Sequence, residues 1–317
     1  MESLRDLASA TSGDPVVRRA LAAEIRSACV DVGFFYVSNH GISDDVINKA
    51  VRAAECFFAL PIDAKTKLDI HATPNFKGYT ALLGEKTNPA SKGDLHEGFD
   101  IGWEPVCGAE IFADGPSMYG SNVWPENLPG FREDVLAYYH AAVRLGLLLF
   151  PLFALALNLP EDFFADKVTK PAAIMRLLHY PPQPPQLLEG IEGIGAHTDY
   201  ECFTILWQQD NIPALQVMNA NGKYINAVPI PGTLVLNLGD QFARWTNDVF
   251  KSTIHRVINA TGKKRYSIPL FFGTDYDVKL EPIPSCVTPD SPVRYEVVTA
   301  GEYVKSRLEA TYAHSAM

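Results

Sequence analysis

The chain has no Cys-Xaa-Xaa-Cys pair. Its five cysteines, Cys29, Cys56, Cys107, Cys202 and Cys286, are odd in number and widely scattered. That pattern excludes a disulfide framework and a zinc ribbon, and free thiols predict a reducing, cytoplasmic setting. The opening MESLRDLASA lacks a basic region followed by an apolar stretch, so no signal peptide is expected. Positive charge is in short supply. Lys and Arg number 27 against 37 Asp and Glu, a formal net charge of −10. Such a chain gains little by displacing counterions from a phosphate backbone, so no nucleic acid polymer is expected as partner. No apolar run looks long enough for a bilayer: the longest, residues 145–159, is broken by Pro151, and no membrane partner is expected. The 317 residues suit one domain spanning 1–317. Nothing in the composition bears on oligomeric state.

What is present falls into two patterns. Residues 1–160 read mainly as helix. Asp14 is a favourable N-cap with Pro15 at the first helical position. Val17, Leu21, Ile25, Ala28 and Val32 then recur at helical spacing, and Gly33 ends the run. GFFYVS (33–38) predicts a short buried strand. Ser43 caps a second helix with Ile47, Ala50, Ala54, Phe57 and Phe58 on one face, and a long third helix runs from Phe131 to about Asn158, kinked at Pro151. The polar, Gly-rich stretch 73–98 predicts a surface loop or a lid over a site. From Ala172 the pattern changes to short strands separated by turns such as Asn221-Gly222 and Pro231-Gly232. The predicted fold is mainly β with flanking helices: a double-stranded β-helix (jelly roll) core over 172–285, buttressed by the N-terminal helices of 1–160. A last helix, capped by Thr299, covers 299–312.

Within the β region, GAHTDY (195–200) sets His197 and Asp199 two residues apart, and KSTIHRVI (251–258) carries His255. On a strand, residues i and i+2 share a face. His197 and Asp199 therefore point together, and His255 completes a set of two imidazoles and one carboxylate. That donor set is the facial triad of non-haem Fe(II) sites, which leaves half the coordination sphere open. A His-Xaa-Asp alone arises often by chance, and most of the eight histidines read as structural. The weight comes from Arg265 and Ser267 in RYSIPLFF (265–272), which share a face by the same period. A guanidinium fork beside a hydroxyl receives a carboxylate. An anion held there with its other end on the metal is a chelating dicarboxylate.

On these segments, together with DVGFFYVSNHGI (31–42) and MRLLHYPP (175–182), the chain resembles the isopenicillin-N-synthase-like group of Fe(II)/2-oxoglutarate-dependent dioxygenases. It looks closest to thymine-hydroxylase-like and fungal or bacterial small-molecule oxygenases. The resemblance covers most of the length. It implies that His197, Asp199 and His255 bind Fe(II), and that Arg265, Ser267 and Tyr180 hold 2-oxoglutarate, with O2 as the other co-substrate. It further implies oxidation of an unactivated C–H bond in a small molecule (amino acid, nucleobase or secondary metabolite), with succinate and CO2 as co-products. Two departures stand out. Leu178 occupies the place, two residues before the tyrosine, where many members have asparagine. The start MESLRDLAS lacks the usual Ile-Pro-Xaa-Ile-Asp strand, which would open one edge of the sheet.

Substrate contacts are expected near the metal, from Arg176, Tyr200 and Phe271, with Tyr79 in the lid. Together they would grip a planar ring or a small carboxylate. Three alternatives compete with this scheme. One is an isopenicillin-N-synthase-type oxidase of the same fold that dispenses with 2-oxoglutarate and uses Arg265 and Ser267 on its substrate. Another is a non-catalytic small-molecule-binding jelly roll. The third is a zinc hydrolase with Glu201 as general base, which leaves Arg265 and Ser267 without a role.

Overall fold

The structure, a computed structural model, describes residues 4–73, 75–87, 93–104, 120–183 and 192–313. In chain order the elements are β1 (Leu4–Asp6), α1 (Pro15–Asp31), β2 (Phe34–Ser38), α2 (Asp44–Phe58), α3 (Ile62–Lys65), β3 (Gly78–Thr80), β4 (Glu97–Ile101), α4 (Phe131–Ala156), β5 (Ala173–Tyr180), β6 (Ile194–His197), β7 (Phe203–Gln208), β8 (Leu215–Met218), β9 (Tyr224–Asn226), β10 (Leu234–Leu238), α5 (Asp240–Trp245), β11 (His255–Val257), β12 (Arg265–Phe272) and α6 (Ala300–Ala313). Cys107 and part of the proline-rich run 181–186 lie outside the described residues.

The helix ends follow from side chains next to them. The Asp14 carboxylate accepts the Val16 amide at 2.8 Å to start α1, and the Ser43 hydroxyl accepts the Val46 amide to start α2. At α6, Thr299 and Glu302 cap each other's amides reciprocally. Gly33 closes α1 at φ +74°, where a Cβ would lie 2.1 Å from the Lys251 carbonyl oxygen. Pro151 does not end α4, which continues past it to Ala156.

The strands form two sheets. The larger has the order β1-β2-β10-β7-β12-β5-β4-β3, and the smaller β6-β11-β8-β9. Side chains alternate between the faces of the large sheet. Met175, Leu177, Ile268, Leu270 and Phe272 turn outward into the core shared with the helices. Leu178, Tyr180 and Leu206 turn inward toward Leu215, Val217 and Val257 of the small sheet. The outer core is aromatic: Phe203 packs 5.3 Å from Phe150, 5.1 Å from Phe153 and 5.2 Å from Phe272, centroid to centroid. The helices thus brace one face and leave the other to line a cavity between the sheets.

Three expectations change. The N-terminal segment does supply a strand at that edge: β1 pairs in parallel with β2, Leu4 opposite Tyr36. The stretch 73–98 is not all loop. Its ends, β3 and β4, extend the large sheet, with Asp100 opposite Arg176; residues 74 and 88–92 lie outside the described set. Finally, α4 is long and apolar enough to cross a membrane, although 67% of its apolar window is buried here.

The packing of α4 on β12 leaves no room at Gly146, where a Cβ would meet the Phe272 ring at 2.3 Å. Phe272 is wedged among other rings and cannot swing aside. Gly146→Ala therefore lowers stability by about 1–3 kcal/mol, despite alanine's better helix propensity. Thermal denaturation reads this as a fall of a few degrees; an equal or higher midpoint shows that the ring yields.

Candidate metal centre and its cavity

Pairing of β11 with β6 sets His255 opposite His197. Their rings lie 4.3 Å apart, and each Nε2 is 3.6 Å from the Asp199 Oδ1. One ligand atom from each residue falls within 4.8 Å of the others, so all three can reach one ion. The rest of each side chain is already engaged. His197 Nδ1 is 2.7 Å from the Gly195 carbonyl oxygen, and His255 Nδ1 is 3.1 Å from that of Thr253. A proton on Nδ1 serves these bonds and leaves both Nε2 lone pairs facing inward. The other Asp199 oxygen, Oδ2, accepts the Thr204 hydroxyl and the Asn237 amide (2.6 Å), so Oδ1 stays free. Burial works against the charge on Asp199, but His255, His197 and the two hydrogen bonds outweigh it and hold the carboxyl low. Burial pushes His255 down as well, with His197 adding to the fall. Ionised aspartate and neutral histidine are the metal-binding forms.

The cavity containing this triad also contains Arg265, Ser267 and Tyr180. The β5–β12 register puts Arg265 beside Tyr180 and Ser267 beside Leu178. Arg265 is 1% exposed. Its guanidinium lies 4.8 Å from the Tyr180 ring centroid and 3.4 Å from the Ser267 hydroxyl, and its Nε has no hydrogen-bond partner. No carboxylate pairs with it among the described residues. An unpaired buried cation is costly, so this pocket fits an anionic group. The Leu178 side chain lines the same wall and offers no polar contact.

The substrate-side expectations divide. Tyr200 and Phe271 line the cavity. Arg176 does too, but it is committed to acids: its Nε donates to Asp100 at 2.7 Å and its Nη1 and Nη2 to Glu85 at 3.0 and 2.5 Å. Gly98 makes room for this guanidinium, since a Cβ there would sit 3.1 Å from Nη2. His96 backs the cluster, its Nε2 3.3 Å from Glu85. Burial opposes the charge on Glu85, but Arg176 and His96 outweigh it and hold that carboxyl low. At Asp100 burial prevails over Arg176, and Glu85 adds to the rise. Arg176 is therefore not a ready receptor for a small carboxylate. Tyr79 is a correction: it is no lid residue but sits buried in the core, its hydroxyl donating to Glu97 at 2.7 Å beside Lys65. Glu201 reaches the cavity wall after β6 has ended. Burial and the nearby Asp199 push its carboxyl up to about 8. Glu85, Asp100, Thr204 and Asn237 had no signal in the sequence, because each works through partners distant along the chain. The same holds for Leu308 and Thr311 of α6, which also line the cavity.

A family model described as the 2OG-Fe(II) oxygenase superfamily matches residues 171–274, and one for the N-terminal part of a non-haem dioxygenase in morphine synthesis matches 3–127. The chain belongs to the 2OG-Fe(II) oxygenases. It is 35% identical over 307 residues to a 2-oxoglutarate-Fe(II) type oxidoreductase of Emericella nidulans, covering 95% of this chain and 88% of the relative. It is 36% identical over 302 residues to a homoarginine-6-hydroxylase of Arabidopsis thaliana, covering 92% and 89%. Among solved structures, a full-length Neurospora crassa protein in complex with alpha-KG and thymine superposes with a TM-score of 0.85 at 30% identity, covering 97% and 96%. This oxygenase has the jelly-roll core of its structural neighbours. Its cofactors are Fe(II) and 2-oxoglutarate, with O2 as oxidant, and it acts on small molecules.

The charge cluster around Arg176 generates a test. Arg176→Met leaves Asp100 buried without its counter-charge and Glu85 with only His96, and destabilises the oxygenase by about 3–5 kcal/mol at neutral pH. With Arg176 gone, burial raises both carboxyl pKa values above those of the unfolded chain. The deficit is then largest at neutral pH and shrinks as acid protonates the pair. Denaturant titrations at pH 7 and pH 5 measure both effects; an equal deficit at the two pH values rules the charge origin out.

Proposed function

We propose that His197, Asp199 and His255 hold the Fe(II) of this oxygenase, and that Arg265, Ser267 and Tyr180 hold the far carboxylate of 2-oxoglutarate. The small-molecule substrate sits on the side of Tyr200, Phe271 and the Arg176 cluster, and one of its C–H bonds is oxidised. The observation that carries this is the buried, unpaired Arg265 in the same cavity as three convergent metal-ligand atoms. Bound iron supplies the redox chemistry of O2 activation, with 2-oxoglutarate as reductant and succinate and CO2 as co-products. The protein's part is positional. The Gly195 and Thr253 carbonyls fix both imidazoles, Thr204 and Asn237 fix the carboxylate, and the Arg265 fork fixes the co-substrate's far end. Leu178, Leu206 and Val257 keep that half of the cavity dry.

A zinc hydrolase leaves Arg265 unpaired, and an oxidase without 2-oxoglutarate sits poorly with curated relatives named for that co-substrate. Thymine in the Neurospora complex and homoarginine in the name of the Arabidopsis relative set the substrate's scale at one ring or one amino acid. The chain works as one domain over 1–317. The free thiols Cys29, Cys202 and Cys286 suit a cytoplasmic location.

Anaerobic addition of 2-oxoglutarate to the Fe(II) protein produces a visible metal-to-ligand charge-transfer band. Titrating this band in Arg265→Ala shows 2-oxoglutarate binding weakened about 30-fold or more. No band in the wild type removes 2-oxoglutarate from the scheme, and full affinity in the variant removes Arg265. Thr204→Val, which frees Asp199 to turn, lowers Fe(II) affinity about tenfold or more in a competition against a chromophoric chelator; unchanged affinity assigns orientation to Asn237 alone.

A further inference from the structure

The strand that carries His197 has an open side. β6 is the last strand of the small sheet, and among the described residues β11 is its one strand partner. Residues 94–96 take the place of a second neighbour. Leu95 donates its amide to the Glu192 carbonyl at 2.8 Å, and His96 donates Nδ1 to the Gly193 carbonyl at 2.9 Å. The Gly195 amide donates to Asp94 Oδ1, also at 2.9 Å. This third bond differs from the others in where it leads. Gly195 is the residue whose carbonyl oxygen accepts from His197 Nδ1. Asp94 thus holds one end of the residue that orients the ligand at its other end.

Asp94 is 1% exposed and is engaged at both oxygens. Its Oδ2 accepts the amide and the hydroxyl of Thr87, each at 2.9 Å. Its backbone joins the same stretch: Leu83 donates to the Asp94 carbonyl at 3.1 Å, and the Asp94 amide donates to the Glu85 carbonyl at 2.9 Å. Glu85 and Thr87 both line the cavity, Glu85 within the Arg176 cluster. A buried carboxylate keeps its place only while donors meet its oxygens. Here the donors come from the substrate wall on one side and from the strand of the first metal ligand, 101 residues along the chain, on the other.

We propose that Asp94 is a positioning residue. Through Gly195 it holds the His197 imidazole in the orientation that binds Fe(II), and through Thr87 it ties that ligand to the substrate wall. The inference rests on the metal centre proposed above. Without the Asp94 oxygens the Gly195 carbonyl is free to turn, and His197 Nδ1 loses its fixed acceptor. Coupling of this kind is reciprocal, so Fe(II) bound at His197 in turn steadies the 83–87 stretch. Asparagine at position 94 keeps half of the arrangement. Its Oδ1 accepts the Gly195 amide, while its Nδ2, a donor, faces the Thr87 amide and leaves it unmet.

The test is Fe(II) affinity, measured anaerobically by competition with a chromophoric chelator. It falls about fivefold or more in Asp94→Ala and stays within about twofold of the wild type in Asp94→Asn. Gly146→Ala, which loosens α4 against the outer face of the large sheet, keeps wild-type affinity. A smaller fall in Asp94→Ala, a fall beyond twofold in Asp94→Asn, or a loss in Gly146→Ala equal to that in Asp94→Ala each overturns the proposal. Amide exchange on the wild-type protein is the second measurement and needs no variant to fold. Fe(II) loading slows the Gly195 and Thr87 amides about fivefold or more; less slowing at either also sinks the idea. Wild-type protein that binds no Fe(II), or a His197→Ala variant that binds it as tightly, removes the proposed metal centre and this inference together. Binding that needs His197 but is untouched in Asp94→Ala removes this inference alone.

Discussion

Antiparallel pairing of β12 with β5 on one side and β7 on the other decides which side chains can meet in this molecule. Because strand residues alternate, β12 delivers Arg265, Ser267, Pro269 and Phe271 to the cavity and Tyr266, Ile268, Leu270 and Phe272 to the helices. Its partner β5 does the same with Arg176, Leu178 and Tyr180 against Met175 and Leu177. A slip of one residue would turn the outer apolar face into the cavity and drive the Arg265 guanidinium to the outer face, beside Phe58 and His179. The apolar packing of the outer face thus holds the polar inner face in register. Helices α1, α2 and α4 contribute to the site through this register, without lining it.

The two cavity arginines show how one residue type serves two ends. Arg176 has its charge met inside the protein by two carboxylates, so it fixes β4 to β5 and shapes the substrate wall. Arg265 lies deeper and has only the Ser267 hydroxyl and Tyr180 beside its guanidinium. Burial of a guanidinium without an acid is tolerated when function supplies the missing anion. The triad follows the same logic: its outer atoms are saturated by carbonyls, a hydroxyl and an amide, and its inner atoms are left with none.

Much of this was legible in the sequence, and the limits have physical reasons. Period two predicted that Arg265 and Ser267 share a face, because that rule needs only local chain geometry; His197 and Asp199 also converge, but β6 ends at His197 and Asp199 lies beyond it. Caps at Asp14, Ser43 and Thr299 are local in the same sense. Strands of three residues are too short to show a period, so β1 and β3 left no mark and Tyr79 was misplaced in a lid. The partners of Arg176 were hidden because Glu85 lies 91 residues away along the chain. The sequence carries the charge of Arg176 but not its neutralisation, and the expectation of a carboxylate receptor failed there.

The short segment from His197 to Glu201 carries a further constraint. Alternate residues are ligands or cavity acids, and those between them are anchors. Thr198 donates to Asp240, which also accepts the Tyr303 hydroxyl from α6, and Tyr200 joins Thr311 on the same helix. Ser252, three residues before the third ligand, donates to the other Asp240 oxygen at 2.7 Å. Asp240 therefore ties the C-terminal helix to both stretches of chain that present metal ligands. Seating α6 against the cavity and ordering the triad draw on the same few hydrogen bonds. The helix that adds Leu308 and Thr311 to the cavity wall is in this way joined by hydrogen bonds to both stretches that present metal ligands.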